Sequence, residues 1–410
     1  MRRSLIAVAV GTFTLALPAF ASEQSGFGGP NAVGNQLEED EQEKDPFFAL
    51  DFLQPYLDWK AKVREKTGIH FGGDYSSLAY WASESLGDDG AAAGMVRFFG
   101  SWDLVDRDGD HPGALVWKVE HRHGYTDVPP SGFGFETGYV GLLGPPFSDQ
   151  GWRTTNLYWR QRFAKGRFAV LAGFLDATDF VDPYALASPW LHFTNLAFST
   201  GSASIALPND AMLGIAAGGM LTDSLYAIAS FGDANGDPED PFEGFESFFE
   251  DNEYFKSVEL GWTPSHERLM LDNVHLTLWH VDSREAAGTP SGWGVNLSAS
   301  MYVDDRWMPF LRAGWAHEGG SLLDRSVSAG LGYQVVPGRG LLGAAVNWGR
   351  PNKDTFGPGL GSQWTFEAFY RWQVLRELAI TPDVQLLINP AQNPDKSVIL
   401  ILGLRLRYAL

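Results

Sequence analysis

Guanidinium and carboxylate groups recur at every second position in several short segments of this 410-residue chain. Arg160 and Arg162, and Arg405 and Arg407, are two apart and Glu367 and Arg371 four apart, joined by Arg97, Arg122, Arg312, Asp103, Glu120, Glu259 and Asp383. A spacing of two puts such groups on one face of a strand. There they either pair as structural salt bridges or present forked donors and acceptors to a hydroxylated solute. Between 177 and 210 the aromatic residues Phe180, Tyr184, Trp190, Phe193 and Phe198 crowd a stretch too apolar for a solvated loop. Aromatic rings beside charged forks suit solutes that have both apolar C–H faces and vicinal hydroxyls.

Other chemistry is poorly supported. Asp106-Arg107-Asp108-Gly109-Asp110 and Asp233-Ala234-Asn235-Gly236-Asp237 open like calcium loops, but their twelfth positions are Trp117 and Gly244, where a bidentate Glu belongs. Both read as turns. His121 and His123 share a strand face without an identified third ligand, so no metal site is expected. No nucleophile elbow, HExxH or phosphate loop occurs, and no cofactor is expected. Carboxylate pairs of the glycosidase kind need a separation that sequence does not reveal.

These groups must be positioned by β-structure. The chain has 47 Gly, 23 Pro and no Cys, with 44% hydrophobic and 14% aromatic residues, so it is rich in turns yet able to bury a large apolar surface. Absence of Cys removes disulfides, thiol nucleophiles and Cys-ligated metals. A formal charge of −20 argues against nucleic acid as a partner.

Arg2 and Arg3 precede an apolar run, Leu5 to Leu17, followed by Pro18 and Ala19-Phe20-Ala21. Residues 1–21 are therefore expected to be a cleaved export signal, too short to span a bilayer as a helix. The Gly- and acid-rich stretch 22–45 reads as a solvated flexible arm. Over 46–68 a periplasmic helix is expected, with Phe48, Phe52, Tyr56, Trp59 and Val63 at helical spacing and Gly68 as its stop.

From 69 to 410 the period is two. In 363–373, Trp364, Phe366, Ala368, Tyr370 and Trp372 oppose Gln363, Thr365, Glu367, Arg371 and Gln373, with Phe369 breaking the pattern. Sixteen such segments are expected. Alternation alone fits both a soluble sandwich and a barrel. Connections, however, alternate between short turns (165–166, 221–223, 303–306, 336–339, 374–377) and longer loops (126–151, 177–210, 233–253), as in membrane barrels with one short-turn and one long-loop rim. The alternating stretch 133–143 is assigned to a loop, because a seventeenth strand would invert every later turn. Loop 237–253 carries eight acids and no base, and reads as solvated or as bridged to lipopolysaccharide through divalent cations.

Over 46–410 the chain resembles the carbohydrate-selective porins of the OprB type. The likeness rests on Gly68-Ile69, the hairpin 158–176, Leu207-Pro208-Asn209, Val258 to Pro264, Phe366-Glu367-Ala368-Phe369-Tyr370, and Leu378 to Pro390 with Thr381-Pro382-Asp383-Val384-Gln385. Leu410 departs from the usual terminal Phe. The resemblance implies a 16-stranded antiparallel transmembrane β-barrel in the outer membrane that passes glucose-like sugars by diffusion.

Together these readings predict an all-β barrel with a short N-terminal helix and an inward-folded constriction loop. A non-enzymatic sugar channel is expected, with small neutral sugars, outer-membrane lipid and lipopolysaccharide as partners, acting as monomer or homotrimer. The expected constriction is Arg160, Arg162, Arg312, Glu367 and Arg371 facing Trp190 and Phe193. An exported β-rich glycoside hydrolase or a sugar-binding β-sandwich is the alternative.

Overall fold

The computed structural model describes residues 26–50 and 52–410. The expected signal, 1–21, lies outside them. Sixteen strands are formed, β1 (Ile69–Ala82), β2 (Gly90–Val105), β3 (Gly113–Gly124), β4 (Gly151–Phe163), β5 (Phe168–Leu175), β6 (Met212–Met220), β7 (Leu225–Asp233) and β8 (Tyr254–Trp262), then β9 (Asn273–Val281), β10 (Gly292–Ser300), β11 (Trp307–Glu318), β12 (Leu323–Val336), β13 (Gly340–Pro351), β14 (Gln363–Gln373), β15 (Leu378–Ile388) and β16 (Val398–Ala409). Each pairs antiparallel with its sequence neighbours, and β1 pairs with β16 from Asp74↔Ala409 to Ala82↔Ile401, closing the sheet. Closure leaves no edge with unpaired backbone groups, the condition for a sheet in lipid.

Burial is inverted relative to a water-soluble sandwich. On β16, Val398, Leu402, Leu404 and Leu406 are 39–50% exposed, whereas Arg405 and Arg407 are 1% and 6% exposed. The apolar parity faces outward and the polar parity faces a filled lumen, which rules out the two-sheet alternative. Trp152, Trp262, Trp293, Trp307 and Trp364 stand exposed on the outer wall near strand ends, as interfacial girdles require.

The long connections 125–150, 176–211 and 234–253 share one rim and the short turns share the other. One short turn has Asp304 and Asp305 at φ 51° and 52°. Positive φ at both central residues matches the twist of the strands it joins. Residues 133–143 form no strand. Helix α3 (Pro130–Glu136) occupies their start, and the segment folds inward, with Leu143 bridging Asn195.

Among the described residues two helices precede the barrel, α1 (Val33–Glu41) and α2 (Gln54–Thr67). Helix α2 is shorter than expected. Phe47 and Phe48 instead donate their backbone N–H groups to the carbonyls of Gln373 and Val374 at the short-turn rim. Gly68 ends α2 at φ 76°, the left-handed cap that lacks a Cβ penalty. No helix among the described residues is long and apolar enough to cross a membrane, which says nothing of the strands.

Candidate pore and its constriction

The connection 176–211 enters the lumen as a folded plug. Its five aromatics, Phe180, Tyr184, Trp190, Phe193 and Phe198, are all buried. Buried loop backbone needs partners, and the inward side chains of the strands supply them. Glu367 on β14 accepts the N–H groups of Thr194 at 2.6 Å and Asn195 at 3.0 Å. Arg405 Nη1 on β16 donates to the carbonyls of Pro189 at 2.6 Å and His192 at 2.8 Å. Arg312 on β11 binds the Asp182 carboxylate, and His275 Nε2 on β9 lies 2.8 Å from its other oxygen. Burial alone would raise the Asp182 pKa, but the Arg312 and His275 contacts hold it below the ordinary value.

Rings complete the seat. Tyr184 lies under the Arg312 guanidinium at 4.3 Å and Trp190 under that of Arg97 at 4.2 Å, close enough for cation–π attraction. Phe193 meets Phe369 edge-on at 4.9 Å. Phe369, the residue that broke the alternation on β14, is therefore the inward apolar contact on which the loop rests.

Residues 26–40 are also inside the barrel and 41–45 reach its short-turn rim, where Asp45 N–H donates to the Gly338 carbonyl, which corrects the expected solvated arm in its described part. The acids of α1 find the lumen arginines. Asp40 accepts from Arg407 at 2.7 and 2.8 Å, Glu39 pairs with Arg371 at 3.2 Å, and Glu41 contacts His70 at 2.8 Å and Arg64 at 2.9 Å. Val33 and Leu37 pack among Phe99, Val116 and Tyr158. Desolvation opposes the charge on Asp40, yet Arg407 and Lys44 keep its pKa below the ordinary range. The segment leading into α1 also touches the loop, because Gly29 N–H donates to the Asp179 carbonyl at 2.7 Å.

Of the expected constriction residues, Arg312, Glu367, Trp190 and Phe193 are thus occupied in seating the loop, and Arg371 is bound to α1. Arg160 and Arg162 are placed differently. They line a chamber of about 610 Å³ together with Glu38, Arg64, Asp103 and Glu267. Arg160 approaches Asp103 at 3.9 Å. Five basic side chains (Arg or Lys) and five carboxylates border this space, along with His70 and His266.

Several residues that shape the lumen escaped sequence reasoning. Asp74 on β1 receives both Arg97 and Arg407. Lys118 on β3 stands 3.3 Å from both Asp176 and Asp179 at the start of the loop. Burial pushes the Asp179 pKa up to about 8 even with Lys118 beside it, because Asp176 adds a like charge. Inward parity on β1 and β3 was the available signal for Asp74 and Lys118. Among the described residues no three His, Asp or Glu side chains are grouped to hold a metal. His121 and His123 touch each other on the outer wall, where His121 also meets Trp152.

Residues 268–410 match the model of the carbohydrate-selective porin, OprB family, so the resemblance read from the sequence holds over the C-terminal third. A search of curated protein sequences finds no match. Among solved structures, the high-pH structure of Pseudomonas putida OprB superposes with a TM-score of 0.70 at 15% identity, covering 90% of this chain and 99% of that one. Its low-pH structure gives 0.51 at 14% identity, covering 90% and 100%. A multiply substituted mutant of Rh. blastica porin gives 0.53 at 12% identity, covering 83% and 100%. At these identities the structures establish the fold. Barrel and family match are those of a porin channel, not an enzyme, and imply the outer membrane.

Proposed function

We propose that the barrel passes small neutral, glucose-like sugars by diffusion. The chamber beside Arg160 and Arg162 is the observation that carries this reading. Its volume lies within the ~300–1,000 Å³ typical of small-molecule sites. Equal numbers of cationic and anionic side chains on its wall give no net preference for either sign of ion. They offer forked donors and acceptors that replace the hydration of a polyol without holding it. On this reading Arg160 and Arg162 contact the sugar directly, while Arg312, Glu367, Arg371, Trp190 and Phe193 set the constriction by fixing the loop and α1.

The same proposal takes residues 1–21 as the export signal, the short-turn rim as periplasmic, and lipopolysaccharide as the neighbour of the long-loop rim. Channels of one or three copies accommodate it equally.

Planar-bilayer recording with added glucose or maltose tests it. Sugars should reduce the ion current of the wild type, and Arg160→Ala with Arg162→Ala should weaken that block several-fold while the gel shift between heated and unheated samples persists. Undiminished block in the double variant would remove these arginines from the sugar path. Absence of block by any neutral sugar in the wild type would remove the function.

A further inference from the structure

Between the lumen helix and the barrel, the chain carries a row of large apolar side chains with no protein over them. Phe47, Phe48, Leu50, Phe52 and Trp59 are each at least half exposed. Tyr56, Trp59 and Val63 recur at helical spacing and so share one side of α2, and Phe52 stands in the turn just before the helix. This row continues the outer wall of the barrel. Phe47 meets Trp372 edge-on at 5.2 Å, Trp59 meets Phe71 at 5.8 Å, and Phe71 leads to Phe98 at 6.2 Å. Trp372, Phe71 and Phe98 all lie on the outward parity of β14, β1 and β2, the parity that faces lipid.

Helix α2 is fixed in that position. The Lys60 ammonium donates to the Leu410 carbonyl at 3.0 Å and lies 5.5 Å from the Phe71 ring centre. Burial lowers the Lys60 pKa from its ordinary value, with Glu41 and Asp40 opposing the fall. Lys62 and Lys66 are exposed. Within Gln54–Thr67 the bases Lys60, Lys62, Arg64 and Lys66 outnumber Asp58 and Glu65, although the whole chain has a net charge of −20. A locally basic helix with an aromatic row is the composition of a segment that lies in a membrane interface.

We propose that residues 47–66 are an interfacial anchor, with the aromatic row bedded in the lipid leaflet at the short-turn rim and Lys62 and Lys66 on headgroup phosphates. The inference rests on the barrel being embedded in lipid. The occupant is lipid because the row is continuous with the lipid-facing wall and because a basic flank suits anionic headgroups.

The chain has no cysteine, so single spin labels report local surroundings directly. Phe48→Cys, Phe52→Cys and Trp59→Cys, each labelled with a nitroxide, are placed in nanodiscs of phosphatidylethanolamine and phosphatidylglycerol. Relaxation by oxygen is compared with relaxation by a water-soluble nickel chelate. Leu404→Cys on the outer wall serves as the lipid reference and Asp223→Cys in a short turn as the water reference. Labels on the row should favour oxygen, as at 404. Where an aromatic substitution fails to insert, Ala49→Cys reads the same exposed stretch.

Row labels that respond like 223 while 404 still favours oxygen would overturn the anchor and leave the barrel reading intact. A 404 label that favours the nickel chelate would instead overturn the embedded barrel. Dipolar broadening between row labels that vanishes when labelled protein is diluted with unlabelled protein would assign the row to a second copy and overturn lipid as its occupant.

Discussion

Arg312 binds Asp182 inside the barrel although 130 residues separate them, and the same guanidinium nitrogen reaches the Asp182 carbonyl at 3.2 Å. His275 holds the other carboxylate oxygen at 2.8 Å. Removing one partner of such a buried pair strands the other and costs about 3–5 kcal/mol. Arg312→Met should therefore loosen the inward loop rather than the barrel. Larger and noisier single-channel currents are expected with an unchanged heat shift, and a current identical to wild type would show that the pair does not seat the loop.

Glu367 makes a second, independent clamp on the same loop. Glu367→Ala leaves the N–H groups of Thr194 and Asn195 without their carboxylate, at roughly 1–3 kcal/mol for each unsatisfied donor. Its effect on loop release should add to that of Arg312→Met unless the two clamps are coupled. Conductance of the two single variants and the double variant forms the cycle that decides.

The lumen acids divide by the arginines they serve. Asp74 is shared by Arg97 and Arg407, whereas Asp40 serves Arg407, which keeps Asp74 when Asp40 is lost. Asp74→Asn should lower the midpoint of thermal unfolding in detergent, followed by gel shift, more than Asp40→Asn. Deleting residues 26–45 removes α1 altogether and should raise conductance. Equal current with and without this segment would show that α1 does not obstruct the path.

Acid should open the plug. The folded pKa values of Asp182 and Asp40 lie below the ordinary range. Their stabilisation is thus present above the unfolded value of about 3.9 and is lost as pH falls through the folded pKa. Current fluctuations should therefore grow below about pH 4, and Asp182→Asn should already fluctuate at neutral pH.

Asp179 works in the opposite sense. With a folded pKa raised to about 8, the folded state holds a proton that the unfolded chain releases above about pH 3.9. Stability should fall as pH rises between those values. Asp179→Asn should flatten that slope in thermal midpoints recorded from pH 5 to 8.

Sequence alternation reveals the barrel because the wall has only two environments, and a period of two separates them residue by residue. The same rule identifies Arg97, Arg312, Glu367, Arg405 and Arg407 as inward. It does not say what fills the interior. Glu38 to Glu41 read as a solvated run because a line of acids carries no mark of its partners, which lie on β1, β14, β16 and α2. Compensation between that run and the inward arginines was visible only as two separate charge patterns. Asp182 looks like an ordinary loop acid until the loop is placed between β9 and β11.

The seam between β1 and β16 makes membrane stability all-or-none. Until Val398–Ala409 is added, β1 and β15 each present a row of bare amide and carbonyl groups, and in hydrocarbon each such group costs several kcal/mol. A nascent chain lacking its last dozen residues has no fractional version of this structure to adopt. It also lacks Arg405 and Arg407, the side chains that grip the loop and α1, so one late event supplies both the final stave of the cask and the latch for its contents.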